Sequence, residues 1–162
     1  MNMGKTIKRT LFAAVALLGA GVTLEAAPIN GTITIRGGAE LNTGSVNTAT
    51  RVIGWLNGNG AAPTVVSRSG SFTVVSARAT VTMAAPWNFG SGLPALWSVG
   101  GFQFDLTSST IVTQGGGFLN VSGTGTITGH GFNATPGSWR FSTQNPPANG
   151  VFSFSASTTA NP

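Results

Sequence analysis

The chain has 162 residues, with 8 Lys plus Arg against 3 Asp plus Glu, one His and no Cys. Only 7% of residues are charged, whereas 15 Ser and 22 Thr make hydroxyl side chains outnumber charged ones by 37 to 11. Such a composition excludes a coiled coil, a charged disordered tail, a disulfide scaffold, a thiolate metal site and an iron–sulfur cluster, and it leaves little material for acid–base chemistry.

The chain opens on an address. Lys5, Lys8 and Arg9 form a basic head, Leu11–Val22 is a 12-residue apolar run, and small residues lead to Ala26-Ala27-Pro28. This order reads as a Sec-type secretory signal peptide. The apolar run falls well short of the roughly 20 residues a spanning helix needs. Ala26 is the expected cleavage residue, with Leu24 at the third position before the bond. Cutting one residue later would place Pro28 directly after the scissile bond. Residues 1–26 are therefore expected to be removed, leaving 27–162 as a single domain with no transmembrane segment. That domain carries Arg36, Arg51, Arg68, Arg78 and Arg140 against Glu40 and Asp105, a net charge of +3. The arginines are scattered, so the counterion-release footprint of a nucleic-acid binder is missing and no nucleic-acid partner is expected.

From Thr32 onwards the chain is written in period two. Thr32–Arg36, Arg78–Met83 and Phe102–Leu106 alternate apolar with polar residues. In Phe118–Thr128, Leu119, Val121, Gly123, Gly125 and Ile127 share one face, and Asn120, Ser122, Thr124, Thr126 and Thr128 share the other. Trp139 and Phe141 flank Arg140, and Phe152, Phe154 and Ala156 oppose Ser153, Ser155 and Ser157. Each segment thus has one face to bury and one hydroxyl-rich face to wet. The punctuation fits strands: Asn57–Pro63 is expected as a long loop, Pro136-Gly137 as a hairpin turn, and Asn145–Gly150 as the next turn. The prediction is an all-β fold, an antiparallel β-sandwich of jelly-roll type, with an up-and-down barrel or a short β-solenoid as runner-up.

Few residues offer chemistry. His130 with Asp105 or Glu40 invites a hydrolase reading, but no Gly-x-Ser-x-Gly elbow is present, and an exposed hairpin His is the simpler expectation. Asp105 lies on a polar strand face, where an Arg on a neighbouring strand is its expected partner. Gly115-Gly116-Gly117 and Gly123-x-Gly125 precede no helix, so they read as turns and close packing, not phosphate cradles. No catalytic residue, metal site or cofactor is predicted. Trp87 and Trp97 are the ligand-binding candidates, as flat platforms for sugar rings, and Trp139 is open to the same reading; the competing expectation is that all three lie in the core.

The stretches Leu96–Ser109, Phe118–Gly129, Gly131–Ser142 and Phe152–Ser157, together with Pro28–Ile33, resemble exported bacterial proteins of the PEP-CTERM-sorted type. The resemblance implies export in Gram-negative bacteria that form exopolysaccharide, placement at the surface or in the matrix, and no catalytic residues. The sequence stops at Ala160-Asn161-Pro162 without the Val-Pro-Glu-Pro tail and apolar helix of that group, so the tail is expected to have been lost or truncated, or the protein to be released. The function expected from all of this is that of a secreted, non-enzymatic surface or extracellular-matrix protein. Its expected partners are polysaccharide or copies of itself. A discrete carbohydrate-binding module built on exposed Trp is the alternative.

Overall fold

The computed structural model describes residues 25–56, 62–145 and 152–162. Ten strands follow in chain order: β1 (Thr32–Leu41), β2 (Arg51–Leu56), β3 (Thr64–Arg68), β4 (Thr82–Met83), β5 (Trp87–Asn88), β6 (Leu93–Val99), β7 (Phe102–Gly115), β8 (Phe118–Gly129), β9 (Thr135–Gln144) and β10 (Phe152–Ala160). The only helical element among the described residues is a 3-10 turn at Gly70–Val74. The all-β, antiparallel expectation holds. The expected signal peptide falls almost wholly outside the described residues, as do most of the loops expected at 57–63 and 145–150.

Where the sequence predicts two sheets packed as a sandwich, the strands form one hydrogen-bonded sheet. Its order is β4-β6-β7-β8-β9-β10-β1-β2-β5, with β3 also on β1. The reason lies in β1. Ten residues long, it pairs with β10 along one edge, and on the other edge it takes β3 at Ile33–Arg36 and β2 at Gly38–Leu41. No strand set is left over to make a second layer. The sheet instead curls into a half-barrel, nearer the runner-up architecture. Backbone hydrogen bonds from Val65 to Ala79 (3.0 Å), Arg78 to Val65 (3.0 Å) and Val81 to Pro63 (2.8 Å) tie β3 to the segment entering β4. A chain of pairing therefore runs from β1 through β3 and β4 to β6 and back by the β7–β10 meander.

The concave side is the core. Ile33, Ile35, Phe104, Leu119, Val121, Ile127, Trp139 and Phe141 all lie at 1% exposure or less. Gly125 and Gly137, paired across β8 and β9, supply room for that filling. A Cβ on Gly125 would meet the Phe104 ring at 2.7 Å and the Asp105 carbonyl oxygen at 2.1 Å. Small residues set against large ones fill a curled interior without voids.

Each end of the half-barrel is stoppered. At one, Phe72 from the 3-10 turn is fully buried and packs on Phe102 at 4.9 Å. That turn is fixed by Ser69 N–H to the Thr32 carbonyl (2.9 Å) and Ser71 N–H to the Asn30 carbonyl (2.9 Å). At the other end, Val46 and Ala49 of the loop after β1 are buried, and Gln114 Nε2 donates to both of their carbonyls at 2.8 and 2.7 Å.

Two local expectations are corrected. The hairpin joining β8 to β9 turns at Gly129-His130-Gly131, all three at positive φ (137°, 51° and 72°), and Pro136-Gly137 lies inside β9 opposite Thr126 and Gly125. Three successive residues in the left-handed region reverse the chain before the proline is reached, and a proline is tolerated near the first residue of a strand. Of Arg78–Met83, only Thr82 and Met83 are strand.

Candidate functional site

Trp87 and Trp97 do not form sugar platforms. Both are fully buried, as is Trp139. A ring with no face in water cannot stack on a saccharide. Trp97 instead donates from Nε1 to Thr158 Oγ1 at 2.9 Å, and Trp87 packs edge-on against Phe141 with centroids 5.4 Å apart. Period two places them inside: each sits on the strand face that the curl turns inward. The tryptophan that sequence reasoning overlooked is Trp55, half-buried at the end of β2, stacked on Trp87 and donating to the Ala84 carbonyl at 2.7 Å.

The residues considered for hydrolysis are kept apart by their own tasks. His130 sits exposed in the β8–β9 turn, with Nε2 against the Gly100 carbonyl and its ring on Phe102 at 4.6 Å. Asp105 accepts the Ala95 N–H at 2.7 Å and a Gln103 Nε2–H at 3.0 Å from one carboxylate oxygen. Its partner is thus the backbone of an irregular stretch of β6, where Ala95 has φ 49°, and not the Arg expected from the sequence. Glu40 lies opposite Gly54 of β2. Among the described residues, no three His, Cys, Asp or Glu gather as metal ligands would.

The outer, convex side carries the polar chemistry, and register organises it into rows. Thr34 stands opposite Ser157, Ser157 opposite Arg140, Arg140 opposite Ser122, and Ser122 opposite Thr110. At about 4.8 Å per strand step, this row spans about 19 Å across five strands. A parallel row runs Thr32, Thr159, Ser138, Thr124 and Ser108, with hydroxyl–hydroxyl bonds at 3.2 Å (Thr32 to Thr159) and 3.1 Å (Ser108 to Thr124). A third links Thr82, Ser98, Gln103 and Thr128.

A groove is built on the first row by irregularities in β7. Its pairing with β8 shifts between Leu106 and Ser108 and again between Ile111 and Thr113, leaving Thr107 and Val112 as extra residues. Such bulges bend a strand and re-aim its side chains. Val112, 63% exposed, becomes part of the wall of a groove of about 460 Å³ that also takes in Thr34, Asn120, Ser122, Arg140 and Ser157. A second, more open depression of about 560 Å³ lies over Thr82, Ser98, Gln103 and Thr128. Both volumes lie in the range of small-molecule sites. The first groove contains a guanidinium and no carboxylate; the second contains neither.

The distribution of polarity is the reverse of a membrane-spanning barrel, which turns apolar residues outward and polar ones inward. No helix among the described residues is long and apolar enough to cross a membrane. Leu119–Thr128, an uncharged run that would invite pairing with another chain at an open edge, has β7 and β9 on its two sides. No family model, curated protein or solved structure matches the chain.

Proposed function

We propose that this protein is an exported, non-catalytic component of the cell surface or extracellular matrix that binds polysaccharide along its hydroxyl-rich outer face. One observation carries the reading: cross-strand register aligns Ser, Thr, Asn, Gln and Arg side chains into parallel rows over grooves, on a sheet whose Trp87, Trp97 and Trp139 are committed to the core. Each hydroxyl offers a donor and acceptors at strand spacing, so an extended polyhydroxylated chain meets a repeating lattice of hydrogen-bonding groups. Single contacts of this kind are weak, and affinity comes from many made at once. Export rests on the basic head and apolar run at residues 5–22, and a Gram-negative, exopolysaccharide-forming setting on the resemblance to PEP-CTERM-sorted proteins.

The test is co-sedimentation of the purified protein with extracellular polysaccharide over a range of salt, beside a tube without polysaccharide. Saturable pelleting only with polysaccharide supports the reading. Equal pelleting in both tubes assigns the outer face to self-association instead, and no pelleting in either removes both.

A further inference from the structure

We infer that the groove around Arg140 selects acidic saccharides, such as uronate-containing chains, over neutral ones; this rests on the polysaccharide-binding reading above and names its ligand class. Arg140 projects from the middle of β9, exposed, with Ser122 on one flanking strand and Ser157 on the other. The groove wall adds Thr34, Asn120 and the apolar Val112. The carboxylates of the described residues lie elsewhere. Asp105 is engaged by Ala95 and Gln103, Glu40 faces Gly54 at the far end of β1, and Glu25 precedes the first strand. The guanidinium therefore has no counterion from its own chain within the groove.

A ligand settling here strips water from that guanidinium. A neutral sugar returns hydroxyl acceptors but no charge, so part of the desolvation cost stays uncompensated. A uronate returns a planar carboxylate that accepts two parallel N–H bonds from the guanidinium fork, and its ring hydroxyls remain for Ser122, Ser157, Thr34 and Asn120. The same comparison distinguishes this groove from the depression over Thr82, Ser98, Gln103 and Thr128, which has no cation to desolvate. Charge and hydroxyls are both needed, so a polyanion without sugar hydroxyls fits less well.

Calorimetric titration of the purified protein, expressed from the full chain, tests this with three polymers: polygalacturonate, its neutral methyl ester and polyglutamate. The expected result is binding to polygalacturonate about tenfold or more tighter than to the ester, a gap that narrows as salt rises. Arg140→Gln should erase the gap, chiefly by weakening polygalacturonate binding about tenfold, and Arg140→Lys should restore part of it. Arg51→Gln, which removes the same charge from an exposed site on β2, should leave the gap in place. Equal affinity for polygalacturonate and its ester overturns the inference and leaves polysaccharide binding standing. Binding to neither overturns both. Polyglutamate bound as tightly as polygalacturonate, or an equal loss of preference in Arg51→Gln, shows that net charge does the selecting and overturns the assignment to this groove.

Discussion

The bond between Trp97 and Thr158 is the most exacting test of how the half-barrel is held together. Both residues are fully buried, and Nε1 reaches Oγ1 at 2.9 Å. Thr158→Val keeps the shape and removes the acceptor, leaving an indole N–H without a partner in the core, at a cost of about 1–3 kcal/mol. Trp97→Phe orphans the Thr158 hydroxyl and also removes ring volume, so it should cost more, about 2–4 kcal/mol. The double variant has neither orphan. It should be less destabilised than the sum of the two by about 1–2 kcal/mol, the coupling of a buried bonded pair. Trp139→Phe supplies the contrast. Trp139 is equally buried, but its Nε1 has no acceptor among the described residues, so the substitution removes a polar group already unsatisfied and should cost less than Trp97→Phe. Urea denaturation followed by far-ultraviolet circular dichroism, which does not depend on the tryptophans being changed, measures all four. With m near 1.5 kcal/mol/M, a loss of 2 kcal/mol lowers the midpoint by about 1.3 M. Additivity within about 0.5 kcal/mol, or a larger loss in Trp139→Phe than in Trp97→Phe, would refute the reasoning.

Other substitutions probe the curl, its stoppers and its irregularities. Gly125→Ala would drive a Cβ into the Phe104 ring and the Asp105 carbonyl, and should lower stability by about 1–3 kcal/mol in the same denaturation assay. Gln114→Ala releases the carbonyls of Val46 and Ala49. Faster amide exchange should then appear in the loop after β1, while the β8 and β9 amides keep their protection. Asp105→Ala strips the Ala95 N–H of its acceptor and should cost about 1–2 kcal/mol, with Asp105→Asn recovering part of it because an amide oxygen still accepts.

The strand content was legible because one face of each segment is greasy and the other hydroxylated. That pattern located β1, the first half of β7, β8, β9 and β10. It also placed Arg140 on the wet face, since Trp139 and Phe141 on either side had to turn inward. What alternation does not encode is phase changes and partners. Thr107 and Val112 each insert one residue into β7, so the face that was inward at Phe102, Phe104 and Leu106 becomes outward at Ser108 and Thr110. Read locally, Thr107–Gly115 therefore has no period. β2, β3 and β6 are short, and β6 is interrupted where Ala95 sits at positive φ, so their signals were too brief to stand out. The groove was hidden for a different reason. Thr34 and Arg140 meet across Ser157, more than a hundred residues along the chain, through pairings that only the folded sheet defines. The tryptophans, open to a core or a platform reading, lie in the core as the first of these expected; aromatic residues suit a sugar face and a core equally well, and only the direction of curl decides between them.

The two bulges also bear on solubility. Pairing of β7 with β6 ends at Leu106, and segment 89–92 covers the next residues, with Ser109 Oγ donating to the Phe89 and Ser91 carbonyls at 3.1 and 2.6 Å, so residues 110–113 have β8 on one side and no strand on the other among the described residues. This stretch, Thr-Ile-Val-Thr, contains no charge and no proline, the usual guards of an open edge. Bulges are another guard, because they twist the edge away from a flat template. Removing the extra residue should therefore expose the hazard. Deleting Val112 lets Thr113 follow Ile111 in unbroken alternation opposite Asn120 and Val121, and straightens the edge. The deletion variant should self-associate at concentrations where the parent protein stays monomeric, as read by sedimentation velocity. Adding Thr110→Lys to the deletion should restore the monomer by placing a charge on the edge. A deletion variant that remains monomeric, or a parent protein that already assembles without polysaccharide, would mean that the bulges do not guard this edge. In the first case they would serve only to raise Val112 as a wall of the groove.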